Sequence, residues 1–312
     1  GNPSDAKNNR TYSLDVLPQE YPTIGTGDYR NYALLIQNAD HSEYCDLRYQ
    51  SHTIKKGKYS LSKLPAVYAS SQEAQTLEIL MEDPISHVQI LLLYGVLEEE
   101  DIITRSVKII NQGTQQIIVE KAASSCLDFL SGDYDLLNFY GRHEMERQFQ
   151  RTEINHGSFV IGSRRGTSSH QYNPAIIIAE KDTTEDYGNF LCEVEKDPFN
   201  QTRILLGLHP DFFHYPLNPK ESLIIPETIL TYSDEGFGQL SRQYHNCIKN
   251  HLCRKNERQE PYPSILINSW ETAYFHFNGE ILYNLALQAS ELGINMLVMD
   301  DGWFGNREDD NS

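Results

Sequence analysis

The chain has 312 residues and a mass of 35.9 kDa, which corresponds to about two domains at roughly 150 residues each. Hydrophobic residues make up 39% and charged residues 22%, a balance typical of globular proteins and not of disordered or fibrous ones. Lys and Arg number 26 against 44 Asp and Glu, a net charge of −18 that disfavours nucleic acid and anionic membrane surfaces as partners.

Residues 1–232 have the pattern of a β-rich domain. Short alternating or apolar runs recur along this stretch, and turn residues lie between them. The runs 106–110 and 116–119 flank the sequence Asn111-Gln112-Gly113-Thr114, which predicts a β-hairpin. Pro226 lies inside a further apolar run and predicts an edge or bulged strand. Many short strands separated by turns predict a large β-sandwich.

The pattern changes near Ser233. Apolar residues at helical spacing predict a helix from Asp234 to about His251, and the polar run 254–263, which ends in two prolines, predicts a linker. The predicted organisation is a β domain over residues 1–232, a linking helix and linker over 233–263, and a second domain over 264–312.

The second domain has the sequence pattern of an α/β fold. An apolar run at 264–269 predicts a buried strand, 280–292 predicts an amphipathic helix capped by Gly293, and 294–299 predicts a second buried strand. This is a βαβ unit, whose strands should be parallel. Two parallel strands need cover on both faces, and eight βα units in about 250 residues close into a barrel. We therefore expect a (β/α)8 barrel whose sequence continues beyond Ser312.

Three side chains at the ends of these strands are candidates for sugar binding. Asp300 and Asp301 directly follow the second strand, and Trp270 follows the first. Carboxylates accept protons from sugar hydroxyls, and an aromatic ring covers the apolar face of a sugar. The alternatives are turn-capping acids and a core tryptophan. Neighbouring residues on a strand point to opposite faces, so the two aspartates are poor candidates for the reacting pair of a glycosidase.

Other candidate features carry weaker signals. Arg142 lies in an aromatic-rich part of the β domain and, taken alone, is a surface arginine. The sequence contains no dinucleotide-binding or phosphate-binding glycine loop, no nucleophile elbow and no metal-ligand spacing, so we expect no cofactor and no metal.

Cysteine usage and hydropathy bear on the compartment. Five scattered cysteines are odd in number and predict buried free thiols in a reducing compartment, which favours a cytoplasmic location: Cys45, Cys126, Cys192, Cys247 and Cys253. The best candidate for a membrane-spanning segment, Val88 to Leu97, is too short and contains Gln89 and Gly95, and no leader sequence is evident.

Long motifs resemble one family over nearly the whole chain. The runs 267–275 and 297–305 are similar to the large bacterial α-galactosidases of glycoside hydrolase family 36, as are 10–15, 19–22, 163–174 and 307–311. The resemblance implies an N-terminal β-supersandwich, a linking helix, a (β/α)8 barrel and a C-terminal β domain. It also implies retaining hydrolysis of terminal α-galactosyl units, as in melibiose and raffinose.

The resemblance assigns roles to five residues. Asp300 and Asp301 match the pair that holds galactose hydroxyls, and Trp270 matches a tryptophan of the pocket wall. Arg142 matches an arginine that contacts substrate, and Arg10 matches one that reaches a neighbouring subunit's site in the family's tetramers. The family's nucleophile lies in a Lys-Trp-Asp-x-Asn motif, and neither this motif nor that of the acid/base occurs here, so both catalytic carboxylates are expected beyond Ser312.

Three functional hypotheses remain open from the sequence. The first is part of a retaining α-galactosidase, with this segment supplying galactose recognition and assembly into a homotetramer. The second is a carbohydrate-binding or assembly module, and the third is a galactosyltransferase related to raffinose synthase. The sequence following Ser312 would separate the first two, and acceptor preference would separate the third.

Overall fold

The structure is a computed structural model that describes residues 14–163, 171–181, 189–190, 193–211, 213–253, 264–304 and 309. The chain divides into two compact units, residues 1–253 and residues 254–312. No helix among the described residues is long and apolar enough to cross a membrane.

The first unit is built from short strands, and all pairs between them in the described residues are antiparallel. The strands are β1 (Leu34–Gln37), β2 (Arg48–Lys56), β3 (Gln75–Glu82), β4 (Val88–Leu97), β5 (Ile102–Asn111), β6 (Ile117–Phe129), β7 (Tyr134–Arg142), β8 (Met145–Glu153), β9 (Gly157–Val160), β10 (Tyr172–Glu180), β11 (Asn189–Phe190), β12 (Glu193–Lys196), β13 (Thr202–Gly207), β14 (Tyr215–Leu217), β15 (Ser222–Ile224) and β16 (Thr228–Thr231).

These strands form three sheets. The first sheet has the order β1-β6-β13-β12-β9, and β14 also pairs with β6. The second has the order β15-β5-β4-β3-β2, and β16 also pairs with β5. The third has the order β11-β10-β7-β8.

The core shows that the first sheet packs against both of the others. Ile36 and Val119 of the first sheet share one buried cluster with Ile90 and Ile109 of the second. Ile204 of the first sheet shares another with apolar residues of β7 and β10 in the third. One layer of the sandwich is therefore a single long sheet and the other contains two sheets, which confirms the β-rich supersandwich predicted from the sequence.

The hairpin predicted around Gly113 is wrong. Strands β5 and β6 are consecutive, but they belong to different sheets that face each other. The connection is held by the fully buried Asn111, whose Oδ1 accepts the backbone N–H of Gly113 (3.0 Å) and whose Nδ2 donates to the carbonyls of Gln115 (2.8 Å) and Leu217 (2.9 Å). The Asn111 side chain thus supplies hydrogen-bond partners to backbone groups of this turn. The apolar faces of the two strands meet across the core.

The edge strand predicted at Pro226 is confirmed. The run divides into β15 and β16, which both pair with β5 on the same side. Between them, the Ile225 carbonyl accepts from Ser106 Oγ (2.6 Å), and the Ile225 N–H donates to the Val107 carbonyl (2.8 Å). Because proline has no N–H, the ladder breaks here without separating the segment from the sheet.

The predicted linking helix is α1 (Gly236–Cys247), which continues as a single π-helical stretch from Ile248 to Leu252. Its Leu240 and Phe237 pack against Leu137 and Ile177 on the third sheet. The helix therefore belongs to the first unit, whose contacts extend to residue 253.

Buried charges link the sandwich to its N-terminal segment. Arg203 lies between the carboxylates of Asp28 and Asp128, with Nη2 at 2.7 Å from each. Arg30 pairs with Asp28 at 2.9 Å and donates to Gln201 Oε1 at 2.8 Å. All four charged side chains are at most 4% exposed, so each depends on its partners for the hydrogen bonds that water would supply.

Four of the five cysteines lie in the described residues, and all four are free. Cys45, Cys126 and Cys247 are buried as predicted, whereas Cys253 is exposed. Burial raises the pKa of Cys126 to about 12 and that of Cys247 to about 11, so these thiols stay protonated and unreactive at neutral pH. Cys192 lies outside the described residues.

The second unit contains the predicted βαβ arrangement. Strands β17 (Leu266–Asn268) and β18 (Met296–Val298) are parallel, and between them lie α2 (Trp270–Ala273) and α3 (Gly279–Glu291). The predicted apolar stripe of α3 is its less exposed side: Leu282, Leu285, Ala286 and Ala289.

Both ends of α3 are capped by its own sequence. Asn278 Oδ1 accepts the backbone N–H groups of Glu280 and Ile281, each at 3.0 Å. At the other end, Gly293 adopts a φ of +81°, and the Ile294 N–H reaches the Ala289 carbonyl at 3.0 Å. This is the Schellman arrangement, which favours glycine at that position because a side chain disfavours positive φ.

Candidate functional site

The candidate site lies where β17 and β18 end. The two strands run parallel with Asn268 opposite Val298, so their carboxyl ends meet at one edge. The Ser269 N–H donates to the Val298 carbonyl at 3.0 Å and extends the pairing by one residue. In parallel α/β folds this edge carries ligand sites, because the loops that follow the strands converge there.

Asp300 is held by both oxygens of its carboxylate. Oδ2 accepts from Asn268 Nδ2 at 2.5 Å, and Oδ1 accepts the backbone N–H of Asp301 at 2.8 Å. The backbone N–H of Asp300 in turn donates to Oγ of the fully buried Ser269 at 3.1 Å. The half-buried Asp300 is therefore fixed in one orientation, with further lone pairs on each oxygen for a ligand.

Asp301 follows in the turn after β18. Its Oδ1 accepts the backbone N–H of Gly302 at 2.9 Å, and the side chain is half-buried. Because β18 ends at Val298, both acids lie beyond the strand, and the alternation of side chains along a strand does not apply to them. Each carboxylate accepts the next residue's N–H, as expected for turn acids, and retains capacity for hydroxyl donors.

Trp270 begins the short helix α2 and is half-buried. Its backbone N–H donates to Asn268 Oδ1 at 2.9 Å. Its ring packs edge-on against Phe275 at 4.9 Å between centroids and against Tyr274 at 5.3 Å. Tyr274 has a φ of +48°, a conformation that is strained for a bulky side chain and tends to persist at functional sites.

The aromatic cluster also contacts the turn that carries the acids. Gly302 has a φ of +88°, and a Cβ added there would lie 3.0 Å from Cδ1 of Phe275. A side chain would therefore be disfavoured at Gly302 both by backbone conformation and by Phe275. Phe275 thus joins the Trp270 ring to the turn of Asp300 and Asp301.

Of the other two candidate residues, only Arg142 lies in the part of the chain that the structure describes. Arg142 is exposed at the end of β7 in the first unit, where its Nη1 donates to the His143 carbonyl at 3.4 Å and Nη2 lies 2.9 Å from Met145 Sδ. It contacts only its own turn through these bonds. Arg10 lies outside the described residues. The structure thus brings together Trp270, Asp300 and Asp301.

Two residues of this site were not predicted. Asn268 and Ser269 supply the hydrogen bonds that hold Asp300, and Asn268 also holds the start of α2. The available signal was the position of two polar residues at the end of an apolar run that was predicted to form a strand. Among the described residues, no group of three or more His, Cys, Asp or Glu side chains is placed to bind a metal ion.

Comparison with known proteins places these features in a family. Residues 1–218 match the model of the glycosyl hydrolase family 36 N-terminal domain, and residues 222–312 match the melibiase model. The bifunctional alpha-galactosidase/sucrose kinase AgaSK of Mediterraneibacter gnavus is 58% identical over 100% of this chain and 34% of its own length. The alpha-galactosidase AgaA of Geobacillus stearothermophilus is 40% identical over 99% of this chain and 44% of its own.

Solved structures agree with these relatives. The galactosidase domain of AgaSK matches with a TM-score of 0.93 at 57% identity, covering 100% of this chain and 45% of that one. AgaA from G. stearothermophilus in complex with stachyose matches with a TM-score of 0.92 at 39% identity, covering 99% and 44%. The chain therefore spans about a third to a half of the length of the relatives that it matches.

Proposed function

The chain belongs to glycosyl hydrolase family 36, and from that membership we propose that it is part of a retaining α-galactosidase. The substrates are terminal α-galactosyl residues of melibiose- and raffinose-type oligosaccharides. AgaA has been solved in complex with stachyose and with raffinose, which supports this substrate class. The observation that carries the proposal is the fixed Asp300 carboxylate beside Asp301 and the Trp270 ring at the end of two parallel strands.

In this proposal the described residues recognise galactose. Asp300 and Asp301 accept hydrogen bonds from its hydroxyl groups, and a carboxylate acceptor makes these bonds about twice as strong as neutral ones. Trp270 forms a wall of the pocket against the apolar face of the ring. Arg142 contacts the substrate, and Arg10 serves the site of a neighbouring subunit in a homotetramer.

The second unit is the beginning of a (β/α)8 barrel in this proposal. Leu266 and Met296 of its two strands are 50% and 43% exposed, and Leu292 is 80% exposed. Strands of a parallel sheet are covered on both faces, so further βα units would bury these side chains. The domain boundaries would then be 1–232 for the supersandwich, 233–263 for the linking helix and linker, and 264–312 for the start of the barrel.

The reacting carboxylates lie outside this sequence in the proposal. The Lys-Trp-Asp-x-Asn motif of the family nucleophile does not occur in residues 1–312. A retaining glycosidase needs two carboxylates about 5 Å apart, one as nucleophile and one as acid/base. This chain therefore supplies recognition and assembly, and we place the protein in the cytoplasm on the basis of its free cysteines.

The test is hydrolysis of p-nitrophenyl α-galactoside by the complete protein whose reading frame contains this chain. We expect release of p-nitrophenol, no hydrolysis of the β-galactoside, and α-galactose as the first product observed by NMR. The isolated 312-residue chain should not exceed background, because covalent catalysis requires a nucleophile that it lacks.

The other hypotheses predict different results. A carbohydrate-binding module would bind galactose in the complete protein without hydrolysing the glycoside. A galactosyltransferase would move galactose to an added sugar acceptor such as sucrose in preference to water. Turnover by the isolated chain that is lost in Asp300→Asn would overturn the assignment of the chemistry to later residues.

A further inference from the structure

Asn268 is the residue through which the two strand ends of the site are joined. Its Nδ2 donates to Asp300 Oδ2 at 2.5 Å after β18, and its Oδ1 accepts the Trp270 N–H at 2.9 Å after β17. One side chain therefore bonds both to a proposed sugar acceptor and to the backbone of the proposed pocket wall.

The Asn268 amide meets two requirements at once, because it carries both a donor and an acceptor. The backbone N–H of Trp270 needs an acceptor, and the carboxylate of Asp300 needs a donor. An aspartate at position 268 would supply acceptors alone and place two carboxylates at hydrogen-bond distance. An alanine would supply neither bond, and it would leave Oδ2 of Asp300 without this partner.

We propose that Asn268 is a positioning residue for galactose binding, which fixes the Asp300 carboxylate and the start of α2 in the arrangement that receives the sugar. The inference rests on the proposed function. Preorganisation matters here because a carboxylate that must be ordered when the ligand binds loses part of the binding free energy. Ser269 acts with Asn268, since its buried hydroxyl accepts the Asp300 N–H.

The decisive variant is Asn268→Asp in the complete protein. Two carboxylates this close share a proton, which raises the pKa of the pair. While the pair holds its shared proton, it keeps a donor between the two positions as the asparagine does, and above that pKa the two carboxylates repel each other. Galactose affinity of this variant, measured by calorimetry, should therefore fall as the pH rises from 5 to 8. A merely structural role would lower stability without creating this pH dependence.

The matched control is Asn295→Asp. This exposed asparagine lies beside the opposite, amino-terminal end of β18, and the substitution makes the same change of charge. We expect its affinity and pH profile to follow the unmodified protein. Asn268→Ala should weaken galactose binding about tenfold, which is about 1.4 kcal/mol. Unchanged affinity in Asn268→Ala, or a flat pH profile in Asn268→Asp, would overturn the inference.

A third variant separates this inference from the proposed function. The exchange Asn268→Asp/Asp300→Asn restores one donor and one acceptor between the two positions, but it removes the Asp300 carboxylate. We expect thermal stability to recover relative to Asn268→Asp, while galactose affinity stays low. If the unmodified protein neither binds galactose nor hydrolyses the glycoside, the proposed function fails. Recovery of stability in the exchange would then support only the link between the strand ends, and its absence would overturn that link as well.

Discussion

The ammonium nitrogen of Lys58 lies 2.5 Å from Oε1 of Glu227, and the two side chains are only 1% and 4% exposed. Glu227 also accepts the Val67 N–H through its other oxygen, at 2.7 Å. Burial lowers the pKa of Lys58, although the carboxylate of Glu227 opposes this effect. The pair joins the segment after β2 to the segment before β16.

Removing one member of this pair should destabilise the first unit strongly. Lys58→Met leaves the buried carboxylate unpaired, and we expect the free energy of unfolding in urea to fall by about 3–5 kcal/mol. The double variant Lys58→Met/Glu227→Gln keeps an acceptor for Val67 and should recover most of that loss. The exposed pair Lys55 and Glu78, at 2.6 Å, is the control, and Lys55→Met should change stability by about 1 kcal/mol or less. Equal effects of the two single variants would contradict this prediction.

The Lys58 side chain passes so close to Gly95 that no larger residue fits at that position. A Cβ at Gly95 would lie 2.3 Å from Cδ of Lys58 and 2.6 Å from Oγ1 of Thr104. Because Glu227 holds the lysine in place, Gly95→Ala should lower the free energy of unfolding by about 1–3 kcal/mol. Gly279→Ala is the matched control, since nothing lies within 4 Å of the added methyl group. A neutral Gly95→Ala would show that Lys58 can leave its position freely.

The buried Asp28 should make the stability of the first unit depend on pH in the acid range. Burial acts to raise the pKa of Asp28, but hydrogen bonds and charge from Arg30 and Arg203 outweigh it and hold that pKa below its usual range. The contribution of ionised Asp28 to stability is therefore present above its unfolded pKa of about 3.9, and it is lost as the pH falls through its lower folded pKa. The free energy of unfolding in urea, measured between pH 6 and pH 2.5, should show this loss. In Asp28→Asn the free energy should be lower at every pH and should depend less on pH. An unchanged slope in the variant would exclude Asp28 as its source.

The two candidate sugar acceptors can be tested separately in the complete protein. Asp300→Asn and Asp301→Asn should each weaken galactose binding tenfold to a hundredfold, because a hydrogen bond to a charged group contributes about 1.5–3 kcal/mol. Calorimetry with galactose is the measurement, and circular dichroism verifies folding. If both folded variants keep full affinity, the carboxylates serve only their own turn.

Arg10 offers a test of assembly. In the complete protein, we expect Arg10→Ala to lower kcat/KM at least tenfold, about 1.4 kcal/mol, with little change in Tm. Subunits carrying Arg10→Ala are then mixed with subunits carrying Asp300→Asn. If Arg10 acts on a neighbour's site, hybrid oligomers contain some intact sites and regain activity. Confirmed subunit exchange without recovered activity would assign Arg10 to its own chain or to no site.

The sequence was most informative where one local pattern determines one structure. The cap of α3 at Gly293 and the edge strand at Pro226 depend on the residue itself, and the structure shows them at those positions. The hairpin around Gly113 failed because a turn motif does not record which sheet the next strand joins. That choice depends on Asn111 and the Leu217 carbonyl, which are far apart in sequence.

For the candidate site, too, local features could be predicted and long-range contacts could not. The places of Asp300, Asp301 and Trp270 just after the strands could be predicted, because strand ends are readable from apolar runs. The role of Asn268 could not, because its partner Asp300 is 32 residues away and the contact exists only once the strands pair. A single sequence does not encode which polar residue at a strand end will face which acid.

Strand β6 has a consequence for synthesis of the protein on the ribosome. One edge of β6 pairs with β1, where Leu34 lies opposite Ala122. The other edge pairs with β13 and β14, where Leu217 lies opposite Ile117, and these strands are synthesised later. At a synthesis rate of ~5–20 residues per second, the interval between completion of β6 and completion of β14 is on the order of ten seconds. Throughout this interval the nascent chain carries an unpaired sheet edge along β6, so this is the stage at which a holding chaperone would engage it.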